Sequence, residues 1–187
     1  MTTHDKLVRA AAALLDRGGE QAVTLRAVGH ETGLSHNAPY KHFRNRNALL
    51  AAVAAADLES LTSAFADIRR SARTPRQRLL AALTTLVNFS RERPARYRLV
   101  FSAPALARNS PEVQAQSAVC LGHITAMVED CKEAGQLPDA PTKSLASLFL
   151  ATMHGLASME ANGMLQREKG LPSVEENLAM MAKLLSP

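Results

Sequence analysis

Apolar residues recur at spacings of three and four along nearly the whole chain, with no alternating strand pattern, so the sequence predicts helix after helix. Leu7, Val8, Ala11, Leu14 and Leu15 mark one face of a first helix that should end at Gly18-Gly19. Two very short helices follow. Thr24 can cap one from Leu25 to Thr32, Gly33 supplies the left-handed residue that ends it, and Leu34 fills the elbow. Ser35 would cap the next, from His36 to His42. Helices shorter than about 12 residues are marginal in water, so Leu25, Val28 and Phe43 must anchor this pair to its neighbours. The pair has the form of a helix-turn-helix.

Asn45 can then cap a long helix from Arg46 to Arg70, whose Leu58, Leu61, Phe65 and Ile68 keep the helical spacing. Thr74-Pro75-Arg76-Gln77 reads as a capping box that opens a helix with Leu79, Leu83, Leu86 and Val87 on its apolar face. Pro94 restarts the chain as a shorter helix. Ser110-Pro111 opens one that runs to Gly135, with Val113, Cys120, Ile124, Met127 and Cys131 on one stripe. Asp139-Ala140-Pro141 starts another, and Ser173-Val174-Glu175-Glu176 is a capping box for the last. The expected fold is all-α: a three-helix head over residues 1–48 and a larger helical body over 49–187.

From Ser144 to Met159 the chain carries no charge, so every face of that helix is apolar, small or weakly polar. Such a helix must be covered on all sides. At 16 residues, with Ser, Thr and His among them, it is too short and too polar for a bilayer. One face would pack on its own body and the other on a second copy of the chain. Ser147, Ala151, His154, Gly155 and Ser158 lie along that seam, joined by Leu178, Met181 and Leu185 of the final helix.

Charge separates the two parts. Residues 1–100 hold 16 Lys and Arg against 8 acids, whereas 101–187 hold 6 against 9. A basic head joined to a mildly acidic body fits a nucleic-acid reader attached to something that does not touch DNA. Between Gly33 and Asn47 there is no acid, while Lys41, Arg44 and Arg46 are basic. Ser35, Tyr40 and His42 can donate to phosphate, and His36 and Asn37, with small Ala38 beside them, are placed to read bases. Asn can bond adenine N6 and N7 together in the major groove.

This stretch resembles the DNA-binding region of TetR-type transcriptional regulators. The resemblance rests on Thr24, Arg26, Thr32, Gly33, Leu34, Ser35, Tyr40, His42, Phe43, Arg46, Leu49 and Leu50. It implies that Thr24 and Arg26 also face DNA. Gly29 and Thr32 depart from the usual Ala, and Pro39 from a common Leu. Gly29 should cost the first short helix roughly 1 kcal/mol. Residues 95–101 and Met153-His154-Gly155 look like a C-terminal subgroup that carries Trp-His-Gly, with Met in place of Trp. The family likeness implies a ligand-responsive repressor that binds an inverted-repeat operator as a homodimer.

An apolar pocket between bundle helices would hold a small, largely apolar effector, and Leu86, Phe89, Tyr97, Phe101, His123, Met127, Phe149 and Met153 are candidates to line it. No metal or catalytic constellation is legible, and no cofactor is expected. His36 and His42 fall on different helix faces, unsuited to sharing a metal ion. Cys120 and Cys131 stand 11 residues apart on one helix, about 16 Å and beyond disulfide reach. With no signal peptide and no apolar run of about 18 residues, a cytoplasmic protein without a membrane span is expected. A helical-bundle enzyme or carrier, or an architectural DNA-binding protein without a ligand, remains as an alternative.

Overall fold

The computed structural model describes every residue except 36, 102–109, 166–167, 169 and 185–187. The base-reading candidate His36 and the seam candidate Leu185 therefore lie outside the described residues. Among those described, nine α-helices and no strands form: α1 Thr3–Ala22, α2 Leu25–Thr32, α3 Ala38–His42, α4 Arg46–Arg70, α5 Pro75–Glu92, α6 Pro94–Phe101, α7 Pro111–Glu133, α8 Thr142–Ala161 and α9 Val174–Leu184.

The helix starts follow local chemistry. The Thr24 hydroxyl accepts from the Ala27 amide at 3.0 Å, and Asn45 Oδ1 accepts from the Ala48 amide at 2.9 Å. Both expected capping boxes form, Thr74 with Gln77 and Ser173 with Glu176. Gly33 ends α2 at φ 65°, in the left-handed region that a side chain resists. The first helix runs past its expected stop: α1 continues to Ala22, broken at Gly19, whose φ is 67°.

The chain forms two compact units, residues 1–60 with 93–118, and residues 61–92 with 119–187. In the first unit the head does not stand alone. Leu7, Ala11 and Leu15 of α1 and Val28 of α2 are fully buried, with Leu49, Val53 and Leu58 of α4 and Leu99 of α6 in the same core. In the second unit α5, α8 and α9 pack together, burying Leu83, Leu86, Phe149, Met153 and Leu178. The α7 stripe is as expected: Val113, Cys120, Ile124, Met127 and Cys131 are all buried.

By length and apolarity α4 could cross a membrane, because its alanines raise the mean hydropathy. Its Leu49, Leu50, Val53, Leu58, Leu61 and Phe65 are instead buried in the protein's own cores.

Candidate nucleic-acid interface

Two features of sequence that looked like separate departures form one contact. Pro39 packs so tightly on α2 that a Cβ added at Gly29 would lie 3.3 Å from its Cγ, and both residues are buried. The propensity that Gly29 gives up lets α3 approach α2 closely.

The start of α3 differs from expectation. Its cap position is Asn37, not Ser35, and its first helical residue is Ala38, whose amide donates to the Ser35 carbonyl at 2.8 Å. Pro39 explains the shift. Its ring has no N–H to give, so it sits best in the first turn, where amides lack intrahelical partners. In this frame it is the second helical residue rather than the fourth. Phe43, only 4 % exposed, closes the helix, and the His4 ring from α1 packs on it with centroids 5.0 Å apart.

What α3 and its flanks offer to solvent is Ser35, Asn37, Tyr40, Lys41, His42 and Arg44, with Ala38 half-buried and Thr24 and Arg26 exposed on α2's side. Among the described residues none forms an ion pair with Arg26, Lys41 or Arg44. Arg44 belongs with this group, and the acid-free run around it was the signal. Arg46 does not. Its Nε donates to the Val23 carbonyl at 2.8 Å and its Nη2 to the Glu20 carbonyl, with the Glu20 carboxylate 3.6 Å away. It ties the start of α4 to the end of α1, where helix carbonyls lack partners and attract a cation.

The first unit also holds a buried ion network. Arg96 of α6 forks onto Asp57 of α4, with its Nε at 2.9 Å and its Nη2 closer still, and its Nη1 lies 3.4 Å from Asp16 of α1. Burial pushes the Asp57 carboxyl up, and the Arg96 guanidinium opposes that shift. A cleft of about 210 Å³ lies in the same unit, floored by Val8, Ala52, Ala55 and Ala56 and rimmed by Arg9 and Glu59. None of the eight expected ligand-lining residues borders it.

The eight fall in both units. Leu86, Met127, Phe149 and Met153 are buried core residues of the second unit, and half-buried Phe89 and His123 belong to it too. Tyr97 and Phe101 belong to the first unit, where their rings stack at 5.0 Å. Burial pushes the Tyr97 hydroxyl up to about 12. Burial likewise raises the free thiols of Cys120 and Cys131 to about 11.

The uncharged stretch of α8, from Ser144 to Met159, buries Leu145, Ala146, Phe149, Met153 and Ala157, while Ser147, Leu148, Ala151, Gly155 and Ser158 face solvent in the single chain. Nothing lies within 4 Å of a Cβ added at Gly155. His154 is half-buried, and burial lowers its pKa. On α9 the expected face is corrected. Leu178 is 1 % exposed within its own unit and has no area left to offer a partner, and Met181 is half-buried. Met180 and Leu184, at 55 % and 75 % exposure, are the apolar residues turned outward.

An acid-free reading element on a short helix pair, joined to an all-α body, defines a helix-turn-helix DNA-binding protein. Residues 7–53 match the family described as bacterial regulatory proteins, tetR family. Residues 79–183 match the tetracyclin repressor-like C-terminal domain. The chain belongs to the TetR family of transcriptional regulators. No curated relative matches it. Among solved structures, a protein of unknown function from Rhodococcus sp. RHA1 is similar at TM-score 0.84 and 26 % identity, covering 99 % of this chain and 94 % of that one. A TetR family transcription regulator from Marinobacter aquaeolei VT8 is similar at 0.69 and 20 %, covering 96 % and 93 %. RolR, solved in complex with its ligand resorcinol, is similar at 0.69 and 16 %, covering 98 % and 87 %. The last two likenesses concern the fold alone.

Proposed function

We propose that this regulator is a homodimeric repressor that leaves an inverted-repeat operator when a small molecule binds its body. The observation that carries the DNA half is the exposed, acid-free surface of Asn37, Tyr40, Lys41, His42 and Arg44 on α3 and its flanks. Asn37 reads a base, and Lys41 and Arg44 hold phosphates. The exposed uncharged face of α8 and the outward Met180 and Leu184 of α9 support a seam with a second copy, because apolar area left in water favours burial. RolR, with its resorcinol, lends the precedent of a small ligand on this fold.

The switch works through spacing. Two heads must enter major grooves about 34 Å apart, so a ligand that prefers another tilt of α4 would forfeit one half-site. A coupling of about 1–3 kcal/mol would weaken operator binding roughly 5- to 150-fold.

Selection from a random duplex library tests the reading: the recovered sites should be inverted repeats. On such a site Asn37→Ala should cost about 1–3 kcal/mol and relax one base position, whereas Lys41→Ala or Arg44→Ala should weaken all sequences and flatten the salt slope by about one. Recovered sites without two-fold symmetry would overturn the dimeric operator. Gly155→Arg should yield monomers in sedimentation, since it buries a charge in the seam; an unchanged dimer would place the seam elsewhere.

A further inference from the structure

The cleft of the first unit shares no lining residue with the DNA-reading surface or with the Arg96 network. Three helices of that unit meet around it: α1 with Val8 and Arg9, α4 with Ala52, Ala55, Ala56 and Glu59, and the start of α7 with Glu112. Side-chain size keeps it open. Leu49, Leu50, Val53 and Leu58 of α4 are buried in the core, whereas Ala52, Ala55 and Ala56 line the cleft with methyl groups alone and leave about 210 Å³. An apolar cavity of about 150 Å³ already accepts a benzene molecule.

The charge around this floor is one-sided. Three carboxylates, of Asp5, Glu59 and Glu112, line the cleft against one arginine, Arg9, and His4. Asp5 is occupied by the Thr2 amide at 2.8 Å, and the Arg9 Nη1 is turned to the Met1 sulfur at 3.3 Å. Glu59 and Glu112 are exposed and, among the described residues, in no ion pair. Helix propensity accounts for alanines on α4. It does not account for two unneutralised carboxylates over the apolar floor those alanines leave, where low-dielectric walls focus the field of the charges.

We propose that this cleft binds a small organic cation, with its apolar body on Val8 and the α4 alanines and its ammonium at the Glu59 and Glu112 carboxylates. Covering the floor removes apolar area from water, and the ammonium N–H groups donate to the carboxylates. Such a ligand touches α1 of the reading head and α4 together, so it is placed to act as the effector. That role rests on the function proposed above, while the site itself does not.

The test uses the full chain without DNA, so a failure to bind operator leaves its result standing. Benzylammonium, neutral benzyl alcohol and benzoate share a ring and differ in charge, and each is titrated while the methyl resonances of Ala52 and Ala56 are followed. Benzylammonium should shift both saturably, with half-saturation at about 1 mM or below. Benzyl alcohol should bind at least about fivefold more weakly, and benzoate should not saturate. Glu59→Gln together with Glu112→Gln should weaken benzylammonium by about fivefold or more and leave benzyl alcohol within about twofold. Glu133→Gln, at an exposed position of the second unit, should alter neither. Ala56→Leu fills the floor and should abolish saturation read at Ala52, and the exposed glutamate variants carry the test should it not fold. No saturation by benzylammonium, equal binding of benzyl alcohol, or an unchanged affinity in the double glutamate variant would overturn the site.

Discussion

Arg91 and Arg96 stand five residues apart on consecutive helices, and each forks across two carboxylates drawn from two other helices. Arg91 reaches Glu160 of α8 at 2.7 Å and Glu175 of α9 at 2.6 Å in the second unit. Arg96 reaches Asp57 of α4 and Asp16 of α1 in the first. The drawings are alike and the surroundings are opposite. Side-chain exposure is 37 % for Arg91 but 12 % for Arg96, and the Asp57 side chain is only 4 % exposed. In water an ion pair gains little beyond what solvent already gave each charge. In the core each charge has lost its hydration, and the partner is what makes ionisation tolerable. The same three-body geometry is therefore a loose clasp in one unit and an obligatory one in the other.

The largest effect should come from breaking the buried fork. Arg96→Met strands the Asp57 carboxylate and should cost about 3–5 kcal/mol in denaturant unfolding. Replacing both partners sharpens the point: Arg96→Met with Asp57→Leu should recover most of that loss, because two apolar side chains need no hydration. A double variant as unstable as the single one would mean that packing of α6, not the stranded charge, sets the cost.

An intermediate case is Arg46, whose guanidinium donates to backbone carbonyls of Val23 and Glu20 rather than chiefly to a carboxylate. Arg46→Met should lower stability by about 2 kcal/mol, the scale of hydrogen bonds from a charged donor. Its salt slope on DNA should match the wild type, unlike that of Lys41→Ala. A flattened slope would return Arg46 to the phosphate contacts that its place in the family pattern suggests.

These three arginines also mark where the sequence was readable and where it was not. Caps at Thr24, Asn45, Thr74 and Ser173 join residues three apart, so residue type and order suffice to find them. The Val113-to-Cys131 stripe follows from helical period alone. Arg96 and Asp57 are 39 residues apart and Arg46 and Val23 are 23 apart, and nothing local distinguishes a buried arginine from a solvated one. The α9 face failed for a related reason. Leu178 and Met180 are both apolar, and only packing against α5 and α8 decides that Leu178 turns inward. Gly29 and Pro39 were visible singly as departures, and their mutual contact required the fold.

The smallest effect should come from Arg91. Its geometry is better than that of most surface pairs, because Nε and Nη2 meet both oxygens of Glu160 at 2.7 Å while Nη1 meets Glu175. Its bonds to these two carboxylates hold the guanidinium well above its ordinary pKa, so it stays charged at every pH where the fold survives. A good geometry at more than one-third exposure is still a surface pair, and holding a long side chain in one rotamer costs entropy. Arg91→Ala should therefore destabilise by less than about 1 kcal/mol. Salt separates it from Arg96. Raising ionic strength from about 0.1 to 1 M shortens the screening length from about 10 to 3 Å, so the Arg91→Ala penalty should fade while the Arg96→Met penalty persists. If the two penalties respond to salt alike, the depth of burial is not what distinguishes the two forks.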